Sequence, residues 1–536
     1  MTVYVPEEFT ADEADVLRRY FTNLDGPVFA LVNLPEVVKG ALFARYSRSP
    51  KSLRRLFLDE FVGDLDIAGD QTVDATMGVA RAEQLYDKVF FEYGDDSVAQ
   101  LGGVHLACEQ ASNLLTKILE WGRLMSYLEQ STRYIAYDAR LGGRYRFYRD
   151  PAILTSSLGT RYVGDMDRIF DAYSAAADAV TEHVRATVPR EPTDSDFVWR
   201  QATRAKALDA VRGMLPAASL SNVGIYGSGQ GFEALLLRMR AHPLPEAQHY
   251  AGLMLHELRK VVPSFLKRVD LADRGGAWSD YLAATRTATA DVVARLFGEP
   301  DTSPATDVPE VTLVDFDPDA EDKLLAAICY PHSTLSEAAL LDRVRTLAAD
   351  DRVALIRAYV GDRTNRRHKP GRAFERVDYR FDVLSDYGAF RDLQRHRILT
   401  IEWQRLTPAH GYVRPELVDA SGTAGMFDET MHRSALLHDD LRAAGFVEEA
   451  GYAVAMAYRL RYVMQFNARE AIHLLELRSS PQGHPSYRRV ALEMHRLIAE
   501  QAGHRAIAAA MTHLTTEAPE LERLASERQA EARRLS

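Results

Sequence analysis

Hydrophobic and polar positions repeat along most of the chain with a helical period. The stretches QLGGVHLACEQASNLLTKILEWGRLMSYLEQ (100–130) and REAIHLLELR (469–478) place apolar residues at i, i+3 and i+4, the stripe of an amphipathic helix. Shorter runs, VFALVNL (28–34), YRFYR (145–149) and VTLVDFD (311–317), have the composition of strands. The pattern predicts an α+β, helix-rich fold. At 536 residues the chain exceeds one ordinary core, so two or three domains are expected. Residues 298–310, GEPDTSPATDVPE, are rich in Pro, Thr and acid and read as a linker between one lobe at 1–297 and another at 311–536.

The halves echo each other. LVNLPEVVKGALFARYSRSPKSL from Leu31 and LVDFDPDAEDKLLAAICYPHSTLSE from Leu313 both read as strand, proline, helix and turn. RYRFYRDP (144–151) is echoed by HGYVRPE (410–416), and FEALLLRMRAHP (232–243) by REAIHLLELRSSP (469–481). Echoes in the same order in both halves point to a tandem duplication, hence to two related lobes.

Composition narrows the function. With 46% hydrophobic and 26% charged residues the chain reads as globular and soluble. The acidic start MTVYVPEEFTADEADVLRRYF does not resemble a secretory signal, and no apolar run approaches the roughly 20 residues of a membrane helix. A cytoplasmic location without membrane contact is expected. Cys108 and Cys329, the two cysteines, sit in apolar surroundings typical of inert thiols. His473, His484 and His495, spaced by 11 residues, match no compact ligand pattern, so no metal is expected. YGSGQG (226–231) is Gly-rich but reads as lacking the strand–helix context of a dinucleotide fingerprint. The net charge of −11 disfavours a generic nucleic-acid binder.

Against that acidic balance, DLQRHRILTIEWQRL (392–406) sets Arg395, His396 and Arg397 side by side. QRHRILT with FNAREAIHLLELRSS (466–480) resembles the Arg-His-Arg and Asn-Ala-Arg motifs of the flavin-dependent thymidylate synthases. GRLMSYLEQSTRYIAYD (122–138) resembles that family's Glu-x-Ser-x-Arg-Tyr motif, YGDDSVAQL (93–101) its Gly-His-x-Ser-x-x-Glu-His motif, and VRGMLP (211–216) its Arg-x-x-Leu-Pro segment. The departures are complementary. The first half keeps Glu129, Ser131, Arg133, Tyr134 and Arg212 but has Trp121-Gly122-Arg123 for Arg-His-Arg and Ser228-Gly229-Gln230 for Asn-Ala-Arg. The second keeps Arg395, His396, Arg397, Asn467, Arg469 and Arg478 but has Arg405-Leu406-Thr407-Pro408 for Ser-x-Arg-Tyr. A fused pair could thus assemble one complete site and leave its mirror blank.

The resemblance implies reductive methylation of dUMP to dTMP, with methylene-tetrahydrofolate as carbon donor, FAD as cofactor and NADPH as reductant. It implies that Glu129, Ser131, Arg133, Tyr134, Arg212 and Arg395 hold the nucleotide. Ser97, Arg395, His396, Arg397, Asn467 and Arg469 would hold FAD. Arg478 would polarise the uracil carbonyls, and Arg212 would be the second catalytic residue. A homodimer of four family-like units follows, since family members are homotetramers. Arg forks and hydroxyls suit phosphate capture. Charge-assisted bonds contribute roughly 1.5–3 kcal/mol each, and three give about 5–9 kcal/mol gross, near the ~8 kcal/mol of a micromolar ligand. The triplet must sit where a helix gives way to a loop if two of its residues are to face one side.

Alternatives remain open at this stage. DRTNRRHKPGRAFERVDYR (362–380) holds seven cations, Arg363, Arg366, Arg367, Lys369, Arg372, Arg376 and Arg380, which could grip a folate glutamate tail, a pyrophosphate or nucleic acid. A uracil methylase acting on another nucleotide or on nucleic acid is one alternative. A non-catalytic flavin- or nucleotide-binding scaffold is the other.

Overall fold

The computed structural model describes residues 4–62, 100, 102–298, 308–517 and 519–535. In the first half the principal elements are β1 (Val28–Leu31), α1 (Glu36–Tyr46), β2 (Gly103–Ser112), α2 (Asn113–Leu119), β3 (Met125–Glu129), α3 (Asp196–Val211), β4 (Leu220–Ser228), α4 (Gly229–Arg240) and α5 (Pro245–Arg259). In the second they are β5 (Val311–Phe316), α6 (Ala320–Cys329), β6 (Asp378–Asp386), α7 (Tyr387–Leu393), β7 (Thr400–Trp403), β8 (Arg459–Asn467), α8 (Ala468–Arg478), α9 (Pro485–Glu500) and α10 (Leu524–Leu535). Helix dominates, as the periodicity predicts.

Each half builds one antiparallel four-stranded sheet, in the order β1-β2-β4-β3 and β5-β6-β8-β7. The second and fourth strands of each sheet run straight into a helix. At all four junctions a short polar side chain caps the helix: Ser112 accepts from Leu115 N–H, Asp386 from Ala389, Ser228 from Gly231 and Asn467 from Glu470. These caps fix an internal register in which Ser112 corresponds to Asp386 and Ser228 to Asn467. The sequence echoes therefore fall on corresponding elements, although the caps set Gly231 rather than Glu233 against Glu470, two residues from the FEALLLRMRAHP echo.

Several expectations need correction. Residues 100–130 are not one helix but contain β2, α2 and β3. Strand β2 is buried on both faces over most of its length, so its apolar run imitates a helical stripe. YRFYR is not a strand; its Phe147 makes only an isolated bridge to Ser219. YGSGQG does occupy a strand-to-helix junction, β4 to α4, although in an antiparallel sheet rather than a βαβ unit.

The chain forms two compact units, each discontinuous in sequence. The first comprises Met1–Ser174, Leu215–Thr302 and His432–Val454; the second comprises Ala175–Met214, Ser303–Met431 and Ala455–Ser536. Each unit has its own sheet and includes a segment from the other half. Backbone bonds seat the exchanged segments symmetrically: Ala457 N–H donates to Gly213 O at 2.8 Å in the second unit, and Ala218 N–H to Tyr452 O at 3.0 Å in the first. Arg212 consequently belongs to the second unit. Among the described residues no helix is long and apolar enough to cross a membrane.

Candidate active site

Strand β6 delivers the chain into α7, a seven-residue helix that is buried throughout. The helix ends at Leu393, and the next residues leave it as a turn. This break aims the three members of the Arg-His-Arg triplet differently: His396 is buried, Arg395 half-buried and Arg397 exposed. The expected helix-to-loop transition is present.

Asp392, on the last turn of α7, gathers guanidiniums. Its Oδ2 lies 3.4 Å from Arg212 Nη1, while its Oδ1 contacts Arg395 and lies 3.8 Å from Arg478 Nη1. Arg212 reaches this cluster from the end of α3, lying against the backbone at Gly388. A Cβ built there would stand 3.1 Å from Arg212 Nη2, so glycine allows the close approach. Arg212 is buried, and its Nη2 has no hydrogen-bond partner among the described residues. Three guanidiniums thus converge on Asp392, with Asp386 also close to Arg212 and Glu470 close to Arg478, and Arg212 keeps a free donor that an anionic ligand can use.

His396 orients Arg478. The Nε–H of Arg478 donates to His396 Nε2 at 3.0 Å, which leaves the imidazole proton on Nδ1, facing Glu470 Oε1 at 2.9 Å. Burial, reinforced by the Arg478 charge, holds the His396 pKa well below the ordinary imidazole value, so the ring is neutral. Burial pushes Glu470 up to about 7 and pulls His473 down to about 4. His396, Glu470 and His473 present ligand-type atoms within 4.8 Å of one another. Both His396 nitrogens are already engaged, however, and Arg395, Arg478 and Lys369 add positive potential there. A metal cation would be repelled; an anion would be attracted.

The other sequence-predicted residues of this unit take structural partners. The side-chain oxygen of Asn467 caps α8 through Glu470 N–H at 2.9 Å. Arg469 donates from Nε to Pro370 O at 2.8 Å and pairs with Glu375 at 3.2 Å. His484 and His495 each face a backbone carbonyl, of Asp209 and Ala508 respectively.

Glu129, Ser131, Arg133 and Tyr134 belong to the first unit, at the end of β3 and on the turn after it. The Glu129 carboxylate is buried 3.0 Å from Lys117 Nζ, which also pairs with Glu120 at 2.5 Å. Ser131 Oγ accepts from Arg133 N–H at 3.3 Å, and Tyr134 is exposed under the Arg48 guanidinium. Ser97 lies outside the described residues.

The internal register shows what the first unit has lost. Trp121 and Gly122 stand where the second unit has Arg395 and His396, and Gly231, Ala234 and Met239 stand for Glu470, His473 and Arg478. A Cβ on Gly122 would meet Tyr127 Oη at 2.5 Å and Arg238 Nη2 at 3.5 Å, so other side chains fill the place of His396. Asp392, Glu470 and His473 were missed by the motif reading. The i, i+3 spacing of Glu470 and His473 on a helix was their one sequence signal.

The model of the thymidylate synthase complementing protein family matches residues 44–264 and again 312–503. A UPF0159 protein of Chlamydia muridarum is 40% identical, covering 91% of this chain and 92% of its own length. One from Thermoplasma acidophilum is 32% identical, covering 85% of this chain and 91% of its own. A solved structure of a UMP/dUMP methylase from Streptomyces cacaoi, bound with 5-Br dUMP, aligns over 39% of this chain and 97% of its own at 19% identity and a TM-score of 0.29, too distant to bear on the reading. Matched once in each half, the chain belongs to the thymidylate synthase complementing protein family, the flavin-dependent thymidylate synthases.

Proposed function

We propose that this protein catalyses the reductive methylation of dUMP to dTMP, with methylene-tetrahydrofolate as carbon donor, FAD as bound cofactor and NADPH as reductant. The observation that carries the reading is the cluster on Asp392. Arg212 comes from the first half of the chain, Arg395 and Arg478 from the second, and all three meet in one unit on Asp392, where Arg212 Nη2 keeps an unused donor among the described residues.

In this reading the paired forks of Arg212 and Arg395 hold the nucleotide phosphate, exchanging part of their contact with Asp392 for it. The family motif also assigns Glu129, Ser131, Arg133 and Tyr134 to nucleotide binding. Arg478 sits against the uracil carbonyls. Its guanidinium is preorganised by His396, itself fixed by Glu470, so no reorientation is needed as charge builds on the ring. Arg397, Asn467 and Arg469, with Ser97, are assigned to the cofactor, whose pyrophosphate suits the excess of positive charge. Reduced FAD supplies the hydride once bound.

The test is direct. Purified protein with FAD, NADPH, methylene-tetrahydrofolate and dUMP should form dTMP, read by mass spectrometry. Arg212→Ala, Arg133→Ala and Arg395→Ala should each lower turnover by about a hundredfold or more, the cost of removing one preorganised donor. Flavin-loaded wild-type protein that forms no dTMP, or an Arg212→Ala variant at full rate, would overturn the reading.

A further inference from the structure

The basic stretch 362–380 divides into two kinds of cation. Four are neutralised: Arg363 is bidentate on Glu476 at 2.6 Å, Arg372 pairs with Glu375 at 2.9 Å, Arg376 with Glu337 at 2.9 Å and Arg380 with Asp315 at 3.1 Å. Arg366, Arg367 and Lys369 have no ion pair and no side-chain hydrogen bond among the described residues. Arg367 and Lys369 are exposed and Arg366 half-buried.

The segment carrying them is held in place. At one end Arg363 grips Glu476 near the end of α8 and donates to Ala510 O at 2.8 Å; at the other, Pro370 O accepts from Arg469 at the start of α8. Residues 364–369 are thereby tethered to both ends of the helix that carries Glu470, His473 and Arg478. Lys369 and Arg366 both act electrostatically on His473, which places their charges at the rim of the candidate site.

We propose that Arg366, Arg367 and Lys369 form a docking strip for an extended polycarboxylate, the γ-linked oligoglutamate tail of the folate donor. This rests on the reading that a folate supplies the carbon. The strip suits such a tail because its cations stay in water. A compact phosphate gains more from the guanidiniums gathered on Asp392, whereas a flexible tail leaving the site needs successive exposed contacts. Nucleic acid fits less well: the stretch 361–372, GDRTNRRHKPGR, offers no Phe, Tyr or Trp on which bases could stack, and the chain carries a net charge of −11.

Each exposed pair contributes a factor of roughly 1.5–5, so three together give about tenfold, most of it screened at high salt. The experiment measures Kd by calorimetry on FAD-loaded full-length protein, with monoglutamyl and pentaglutamyl tetrahydrofolate and with free tetra-γ-glutamate as probes. We expect the pentaglutamyl form to bind about tenfold tighter, and the preference to vanish in the R366A/R367A/K369A variant and in about 0.5 M salt. Free tetra-γ-glutamate should bind the wild type weakly and the variant not at all. Equal Kd values for the two folates, an unchanged preference in the variant, or tighter binding of a single-stranded oligonucleotide of equal charge overturns the proposal. Binding of tetra-γ-glutamate without binding of either folate would instead overturn the donor assignment and leave the strip intact.

Discussion

Glu246, at the start of α5, is wholly buried and accepts from Ser112 N–H at 2.8 Å, Ser112 Oγ at 2.5 Å and Tyr452 Oη at 2.8 Å. Its counterpart pair in the second unit is reversed, with the acid (Asp386) at the cap and the serine (Ser486) at the start of α9. Burial raises the Glu246 pKa from 4.5 to about 7, against the pull of its hydrogen bonds. Between those values the folded state holds a proton that the unfolded state has released. This contribution to stability is therefore fullest below about 4.5 and is lost as pH rises through about 7. We expect wild-type protein to be more destabilised than Glu246→Gln on going from about pH 5 to about pH 8, read as urea midpoints for both proteins. Parallel midpoints at the two pH values would remove the assignment. None of this was visible in the sequence.

Helix α3 carries Arg212 to the site, and the end of the chain holds that helix. Lys206 pairs with Glu522 at 2.5 Å, Asp209 with Arg523 at 3.3 Å, and Asp194 with Arg528 at 2.5 Å. The Asp209–Arg523 pair is nearly water-free, at 7% and 4% side-chain exposure, and lies one helical turn before Arg212. Removing Arg523 takes a buried cation away from the buried Asp209 carboxylate, a loss of up to about 3–5 kcal/mol. Arg523→Ala should therefore lower the thermal unfolding midpoint and weaken dUMP binding. A variant that matched wild type in calorimetry would show that the Asp209–Arg523 pair does not hold α3. At this scale the sequence was a partial guide. It marked α8 correctly because one apolar face and an Asn cap repeat locally, and it misread β2 because a strand buried on both faces has no polar phase.

The two units are unequal copies of one plan. The second has the three arginines on Asp392 and the Arg478–His396–Glu470 relay. In the first, glycine, alanine and methionine stand at the positions of His396, Glu470, His473 and Arg478, with Tyr127 filling the space. We therefore expect one FAD and one dUMP per chain. Native mass spectrometry reads both; two nucleotides per chain would show that the first unit has kept a site of its own.

What the sequence determined by itself is whatever rests on neighbours along the chain: the caps at i and i+3, the helical stripe of α8, the motifs of the family and the repeat that doubles them. What only the tertiary structure decided is which half each functional group serves. Arg212 meets Asp392 across 180 residues, after residues 175–214 pass into the second unit and 432–454 into the first. No periodicity encodes that exchange. It follows from which buried faces the backbone of 213–219 and 452–458 can bond to, a choice made by packing rather than by local preference.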